Sequence, residues 1–145
     1  MIFTLVRLES RRIDSSIPAK RNWNPMSKPV KDAKREEKVL AKLREICLGL
    51  PEAHEVKTWG HPTFKSGTKT FAVLEWYNGH LCICFKATLP LQQLLVEDPR
   101  YFRTPYIGNQ GWVSLIADRG PNWRDVRRLV VESHQLVSKP RSRKA

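Results

Sequence analysis

Lysines close to aromatic residues are the side chains of this sequence whose types and positions are most suggestive of chemistry. Lys65 and Lys86 fall on adjoining predicted strands. Positive charge beside flat aromatic surface is the combination that single-stranded nucleic acid or a phosphorylated ligand requires. The alternative is that both lysines are ordinary solvated strand residues. The candidate binding residues are Lys65, Lys86, Trp59, His61, Phe64 and Phe71.

These residues do not form a recognisable catalytic motif. His61 has the chemistry of a general base, but no Ser, Cys or carboxylate stands at a spacing typical of a triad. Gly108 and Gly111 flank Asn109-Gln110, which lacks the GxxxxGK[ST] pattern of a phosphate loop and indicates a turn. We therefore expect a protein that is not an enzyme and has no catalytic residues.

The three cysteines give no evidence of a disulfide framework or a metal site. Their number is odd, and Cys82 and Cys84 are two residues apart, which is not the CxxC redox spacing. Together with scattered histidines they are too few for a zinc site. Cys47 lies on the apolar stripe of a predicted helix, as a buried thiol does. We expect no metal and no cofactor.

The sequence is typical of a cytoplasmic protein that does not contact a membrane. No apolar run approaches the roughly 18–20 residues that cross a bilayer. The apolar start, residues 1–8, is followed at once by Glu9, Arg11 and Arg12, so it lacks the features of a signal peptide.

The net charge of +12 is concentrated at the two ends of the chain. Residues 1–42 hold 11 basic and 5 acidic residues, and residues 138–145 hold 4 basic residues and no acidic one. Residues 43–137 are close to balance, with 11 basic and 9 acidic residues. Basic ends bind polyanions weakly and in a salt-dependent way, or they are simply solvated.

Apolar periodicity and turn residues predict three helices and five strands. Val39, Leu43 and Ile46 lie on one face of a first helix, and Asn122 is the expected N-cap of the last. The predicted helices cover 31–50, 89–97 and 122–138, and the predicted strands cover 54–59, 63–66, 69–77, 80–87 and 111–117, with a loop over 99–110.

The Asn78-Gly79 dipeptide predicts a two-residue hairpin turn and with it the register of two strands. The resulting core-facing pairs are Trp76 with Leu81, Leu74 with Ile83, and Ala72 with Phe85. The opposite face pairs Tyr77 with His80, Glu75 with Cys82, Val73 with Cys84, and Phe71 with Lys86. That second set is too apolar to be left wholly in water, yet it contains Glu, His and Lys.

The element order predicts an α+β fold, a two-layer sandwich with an antiparallel sheet of about five strands and the N- and C-terminal helices on one face. Pro18, Pro25 and Pro29 break any helix near the start. We expect a disordered basic extension over 1–30, one domain over 31–138 and a basic tail over 139–145. Met26 has the appearance of an alternative start.

Motifs in series resemble the MmcQ/YjbR family over roughly residues 38–140. These motifs are Cys47-Leu48-Gly49-Leu50-Pro51-Glu52-Ala53, Trp59-Gly60-His61-Pro62-Thr63-Phe64-Lys65, Lys69 with Phe71-Ala72, Asp98-Pro99-Arg100-Tyr101-Phe102, Pro105-Tyr106-Ile107-Gly108, Gly111-Trp112-Val113, Trp123, and Glu132-Ser133-His134-Gln135-Leu136-Val137. Two departures are His134, where the family tends to have Tyr, and Lys139-Pro140-Arg141, where it ends in Pro-Lys-Arg.

The resemblance implies a CyaY-like fold and a DNA-binding protein with a double wing of β-hairpins. We place the wings at the hairpin of the third and fourth strands and at the loop around 60–69. The first hypothesis is therefore a non-catalytic module that binds nucleic acid. The alternatives are a domain for a small ligand or anion, and a module for protein–protein interaction.

Overall fold

The computed structural model describes residues 33–138. The expectations for residues 1–30 and 139–145 lie outside this range. Within it the chain forms three α-helices, α1 to α3, six strands, β1 to β6, and one short 3-10 helix. No helix of the described range is long and apolar enough to cross a membrane. In chain order these elements are α1 (Ala33–Cys47), β1 (Ala53–Thr58), β2 (His61–Ser66), β3 (Lys69–Tyr77), β4 (His80–Lys86), α2 (Leu89–Leu95), β5 (Tyr101–Arg103), the 3-10 helix (Gly108–Gln110), β6 (Trp112–Ile116) and α3 (Trp123–Ser138).

The strands form one antiparallel sheet in the order β1-β2-β3-β4-β6-β5. Six strands replace the predicted five because β5 pairs with β6 in the segment that we expected to be a loop. The register of β3 and β4 is the predicted one from Ala72↔Phe85 to Tyr77↔His80. The Asn78-Gly79 turn, with φ of 53° and 80°, sets this register as expected.

The core lies between one face of the sheet and the helices. Five of the six residues predicted to face the core are fully buried, and Trp76 packs against them while donating through Nε1 to Glu36 on α1, at 2.9 Å. The helices contribute the expected apolar stripes. These are Val39, Leu43, Ile46 and Cys47 from α1 and Val126, Leu129 and Val130 from α3.

Side-chain caps and anchors hold α2 and α3 in place. Asn122 Oδ1 accepts from the backbone N–H of Arg124 and Asp125, at 3.0 and 3.2 Å, which confirms the predicted N-cap of α3. On α2 the buried Gln92 donates through Nε2 to the carbonyls of Gly108 and Trp112, at 2.7 and 2.9 Å. The α2 helix therefore pins the loop between β5 and β6.

One part of the predicted register is wrong. Between Phe64↔Ala72 and Lys65↔Thr70 the pairing of β2 and β3 skips Phe71, so this residue forms a β-bulge. The bulge turns Phe71 into the helix-side core, where its ring meets His134 edge-on at a centroid distance of 4.9 Å. Phe71 therefore does not lie opposite Lys86 on the other face.

The hydroxyl of Ser133 on α3 satisfies the backbone where the bulge interrupts the ladder. It donates to the Phe71 carbonyl at 2.7 Å and accepts from the Lys86 N–H at 2.8 Å. One turn of the same helix also holds His134, whose Nε2 lies 2.8 Å from the Pro51 carbonyl. The histidine that departs from the family pattern thus ties α3 to the start of the sheet.

Removing the Ser133 hydroxyl should destabilise the fold, because the buried Phe71 carbonyl and the part-buried Lys86 N–H both lose their partner. We expect Ser133→Ala to lower the free energy of unfolding by about 1–3 kcal/mol. Ser138→Ala is the matched control, since the hydrogen bond of the Ser138 hydroxyl, on the same helix, to Ser66 is exposed, and this substitution should cost less than about 0.5 kcal/mol. Urea unfolding measures both, and equal losses would contradict the bridging role.

Candidate functional site

Three of the candidate binding residues, His61, Lys65 and Lys86, lie on the sheet face opposite the helices. Side chains alternate between the two faces of a strand, and a separate small cluster of Cys82, Cys84 and Trp112 lies on this one. None of the helices within residues 33–138 contributes to that cluster. We call it the second face and define it by His61, Thr63, Lys65, Val73, Glu75, Tyr77, His80, Cys82, Cys84, Lys86, Phe102, Trp112, Ser114 and Ile116.

A row of polar side chains crosses the middle of the second face from β2 to the end of β5. His61 Nε2 lies 3.9 Å from Glu75 Oε1, and the Cys84 thiol donates to Glu75 Oε2 at 3.5 Å. Cys84 also lies 3.3 Å from the Ser114 hydroxyl, which is 2.9 Å from that of Thr104. The row satisfies polar groups that are buried among apolar neighbours.

The thiols of the protein are neutral and buried. Burial raises the pKa of Cys82 well above that of a free cysteine, and the same cause, followed by the nearby Glu75 carboxylate, raises the pKa of Cys84. Cys47 is also buried, as predicted, and desolvation raises its pKa. Because the thiolate is the reactive form, none of the three has the character of a nucleophile.

A histidine and an aspartate are paired at the end of the second face where the β3–β4 turn lies. His80 Nδ1 is 3.2 Å from Asp118 Oδ2. In a catalytic triad the same kind of pairing orients the histidine. His80 Nε2 and Asp118 Oδ1 are buried and have no hydrogen-bond partner among the described residues. No hydroxyl or thiol of residues 33–138 therefore contacts the ring nitrogen that would act as the base.

Lys65 and Lys86 lie on the second face at one end of the sheet, which we call the lysine end. Lys65 pairs with His54 and Thr70, whereas Lys86 pairs with Trp112. Only β3 separates the two strands, so the lysine backbones are two strand spacings, or about 10 Å, apart. Neither ammonium group forms an ion pair within the described range, and both side chains are half-buried.

Two aromatic residues that we predicted beside these lysines are not available to a ligand. Phe64 and Phe71 are both fully buried in the core between sheet and helices. Their assignment as stacking residues is wrong, because Phe64 alternates to the helix side of β2 and the bulge turns Phe71 to the same side. Of the remaining candidates, His61 lies on the second face beside Glu75.

Trp59 is exposed but lies at the opposite end of the sheet from Lys65. It forms with Gly60 the two-residue turn between β1 and β2, with φ of 54° and 81°, so β2 begins at His61 rather than at residue 63. This turn and Asn78-Gly79 project from the same end. The segment 60–69, where we expected one wing, is not a loop, because it comprises Gly60, all of β2, the β2–β3 turn and the first residue of β3.

Sequence reasoning did not single out Glu75, Ser114, Thr104 and Asp118. The hairpin register already paired Glu75 with Cys82, on the same face as Cys84, so this residue had a signal. Ser114 and Thr104 had no such signal, because their contact depends on the pairing of β5 with β6, and β5 was not predicted.

A cavity of about 250 Å³ lies where β6 leads into α3. Its lining combines the ring of Tyr101 with Arg100, Arg119, Asn122 and Asp125. Arg100 is already bound to Asp98, through contacts as short as 2.6 Å, and Asn122 already caps the helix N–H groups. Of the two arginines of this cavity, Arg119 therefore makes fewer hydrogen bonds and ion pairs with described residues.

The YjbR family model matches residues 48–136, which is more than half of the chain. The chain belongs to the YjbR family. The match spans both hairpins, the polar row and most of α3 in this YjbR protein, which confirms the family predicted from its motifs.

A solved structure supports the same fold. The crystal structure of Deinococcus radiodurans protein DR2400, of family DUF419, is similar with a TM-score of 0.62 and 19% identity, over 72% of this chain and 82% of that one. This likeness confirms the α+β fold with an open antiparallel sheet. No curated protein matches the chain.

Because burial raises the pKa of the thiols, the stability of this YjbR domain should fall in alkaline solution. In the unfolded chain the cysteines ionise near pH 8.5, whereas in the folded protein they stay protonated. Their contribution is complete below about pH 8.5 and is lost as the pH rises above it.

Urea midpoints measured between pH 7 and pH 10 test this expectation. The decline should be shallower in Cys82→Ala plus Cys84→Ala than in the wild type, whatever the absolute stability of the variant. Parallel declines in both proteins would show that other groups cause the alkaline loss.

Proposed function

We propose that this YjbR domain is a non-catalytic module that binds nucleic acid through the lysine end of the second face. The observation that carries the proposal is the position of Lys65 and Lys86. Both lie on one face, about 10 Å apart, and neither has a carboxylate partner within residues 33–138. Two such cations are suited to contact successive phosphates of a nucleic-acid backbone.

The half-buried state of the two lysines fits this role. A lysine lays its aliphatic stem along apolar surface and keeps the ammonium group in water. Trp112, the register partner of Lys86, supplies such apolar surface on the same face. The ammonium groups are thereby held near the face without being neutralised by it.

The non-catalytic part of the proposal is supported by the state of the groups that could react. The thiols are buried and their pKa values are raised, and the His80–Asp118 pair has no described nucleophile on His80 Nε2. The resemblance to the MmcQ/YjbR proteins, which implies DNA binding, points to binding as well. Three free thiols are in keeping with the reducing cytoplasm, where we place the protein.

A second candidate is a small anion bound in the cavity beside α3. Arg119 and Arg100 line it, and α3 begins there. The carboxylate of Asp125 and the existing cap by Asn122 oppose an anion at this position, so we rank this function second. Binding of inorganic phosphate that is lost in Arg119→Ala but retained in Lys65→Ala plus Lys86→Ala would reverse this order.

A salt titration of DNA binding by the full chain tests the proposed function. The variant is Lys65→Ala plus Lys86→Ala, and the matched control is Arg124→Ala plus Arg127→Ala, which removes the same charge from the exposed side of α3. Each lost phosphate contact lowers the slope of log K against log salt by about 0.7–0.9. We expect a decrease of about 1.4–1.8 for the lysine variant and little change for the control.

The control also accounts for the basic ends of the chain, which are identical in all three proteins. Equal slopes for the two variants would mean that net charge alone governs binding, and the lysine end would then be excluded as the site. Absence of binding by the wild type at low salt would exclude the nucleic-acid function of this chain.

A further inference from the structure

Tyr106 is the most exposed aromatic side chain in the described part of the chain. It lies in the loop between β5 and β6 and is 100% exposed. Its backbone φ of 72° lies in the left-handed region, which a bulky residue rarely adopts. A Tyr at this position therefore adds nothing to the core and strains the backbone, and Asn or Gly would be accommodated more easily.

The loop that carries Tyr106 is anchored on both sides. The Thr104 hydroxyl is bonded to Ser114, and the buried Gln92 holds the carbonyls of Gly108 and Trp112. At Gly111 a Cβ atom would overlap the Ala87 carbonyl, so the loop lies directly against the residue that follows β4. An exposed ring on an anchored loop is pre-organised, because little conformational entropy remains to be lost on binding.

The loop also places Tyr106 at the lysine end of the sheet. Lys86 pairs with Trp112, and the Trp112 carbonyl accepts from the Thr104 N–H at 3.2 Å. Thr104 therefore lies about two strand spacings, roughly 10 Å, from Lys86, and Tyr106 follows two residues later. Lys65, Lys86 and Tyr106 thus follow one another across this end of the sheet.

We propose that Tyr106 stacks on an unpaired base, so that the nucleic acid bound at the lysine end is single-stranded. The inference rests on the proposed function and names its substrate class. Every base has a flat face that an aromatic ring can stack on, whereas in a duplex these faces are hidden within the base stack. The cations bind the backbone of the strand and the tyrosine binds a base next to them.

The test measures the affinity of the full chain for a fluorescein-labelled oligothymidine of about ten nucleotides, and for a duplex of the same length. Loss of one stacked base weakens binding by about 5- to 150-fold. We expect that loss for Tyr106→Asn with the single strand, a melting temperature that is unchanged or higher, and little change with the duplex. Tyr106→Phe should retain the affinity, because stacking needs the ring and not the hydroxyl.

Trp59→Asn is the matched control. Trp59 is also highly exposed, at 91%, and also has a left-handed backbone. It lies at the end of the sheet opposite the lysine end, beside the edge strand β1. We expect it to bind the single strand like the wild type. An equal loss in this variant would attribute the affinity to exposed aromatic surface in general and would overturn the role of Tyr106.

The remaining outcomes separate this inference from the function on which it rests. If the double lysine variant shows the expected decrease in salt slope while Tyr106→Asn binds the single strand as the wild type does, nucleic-acid binding stands and the stacking role is refuted. A loss in Tyr106→Asn that is equally large for the duplex would refute the preference for unpaired bases. Failure of the wild type to bind either probe at low salt would refute both.

Discussion

The contact of the Ser133 hydroxyl with two backbone groups is the interaction on which the rest of the structure depends. It accepts from Lys86 N–H and donates to the carbonyl of Phe71 at the point where a bulge interrupts the ladder between β3 and its neighbours. Without it, a buried carbonyl and a part-buried N–H would be unsatisfied at the end of the sheet. The same bridge fixes α3 against the strands, and with the bulge it determines that Phe71 belongs to the core.

The two faces of the sheet differ in chemistry. The helix side is a continuous apolar core, whereas the second face combines a small apolar cluster with a row of hydrogen-bonded side chains. Because the members of that row from Glu75 to Thr104 are hydrogen-bonded to one another and burial raises the pKa of the Cys84 thiol, the row stabilises the face. Lys65 and Lys86, which form no ion pair among the described residues, lie at one end of this face.

Two exposed aromatic residues, Trp59 and Tyr106, have the backbone conformation that Gly and Asn adopt most readily. Their side chains are not needed for packing, and each sits on a short connection between well-defined strands. In this fold the two residues mark opposite ends and opposite edges of the sheet, so each can be altered without affecting the other.

Local signals in the sequence determined the elements and much of their pairing. The Asn78-Gly79 turn acts on adjacent residues, so it specified the β3–β4 register down to Ala72↔Phe85, and Asn122 specified the start of α3 in the same way. The motifs determined the family. The bulge at Phe71 was decided only by tertiary structure, since the group that satisfies it, Ser133, is 62 residues away. The strand β5 likewise exists because β6 offers it a free edge, and three residues with no periodic pattern carry no local signal for such a pairing.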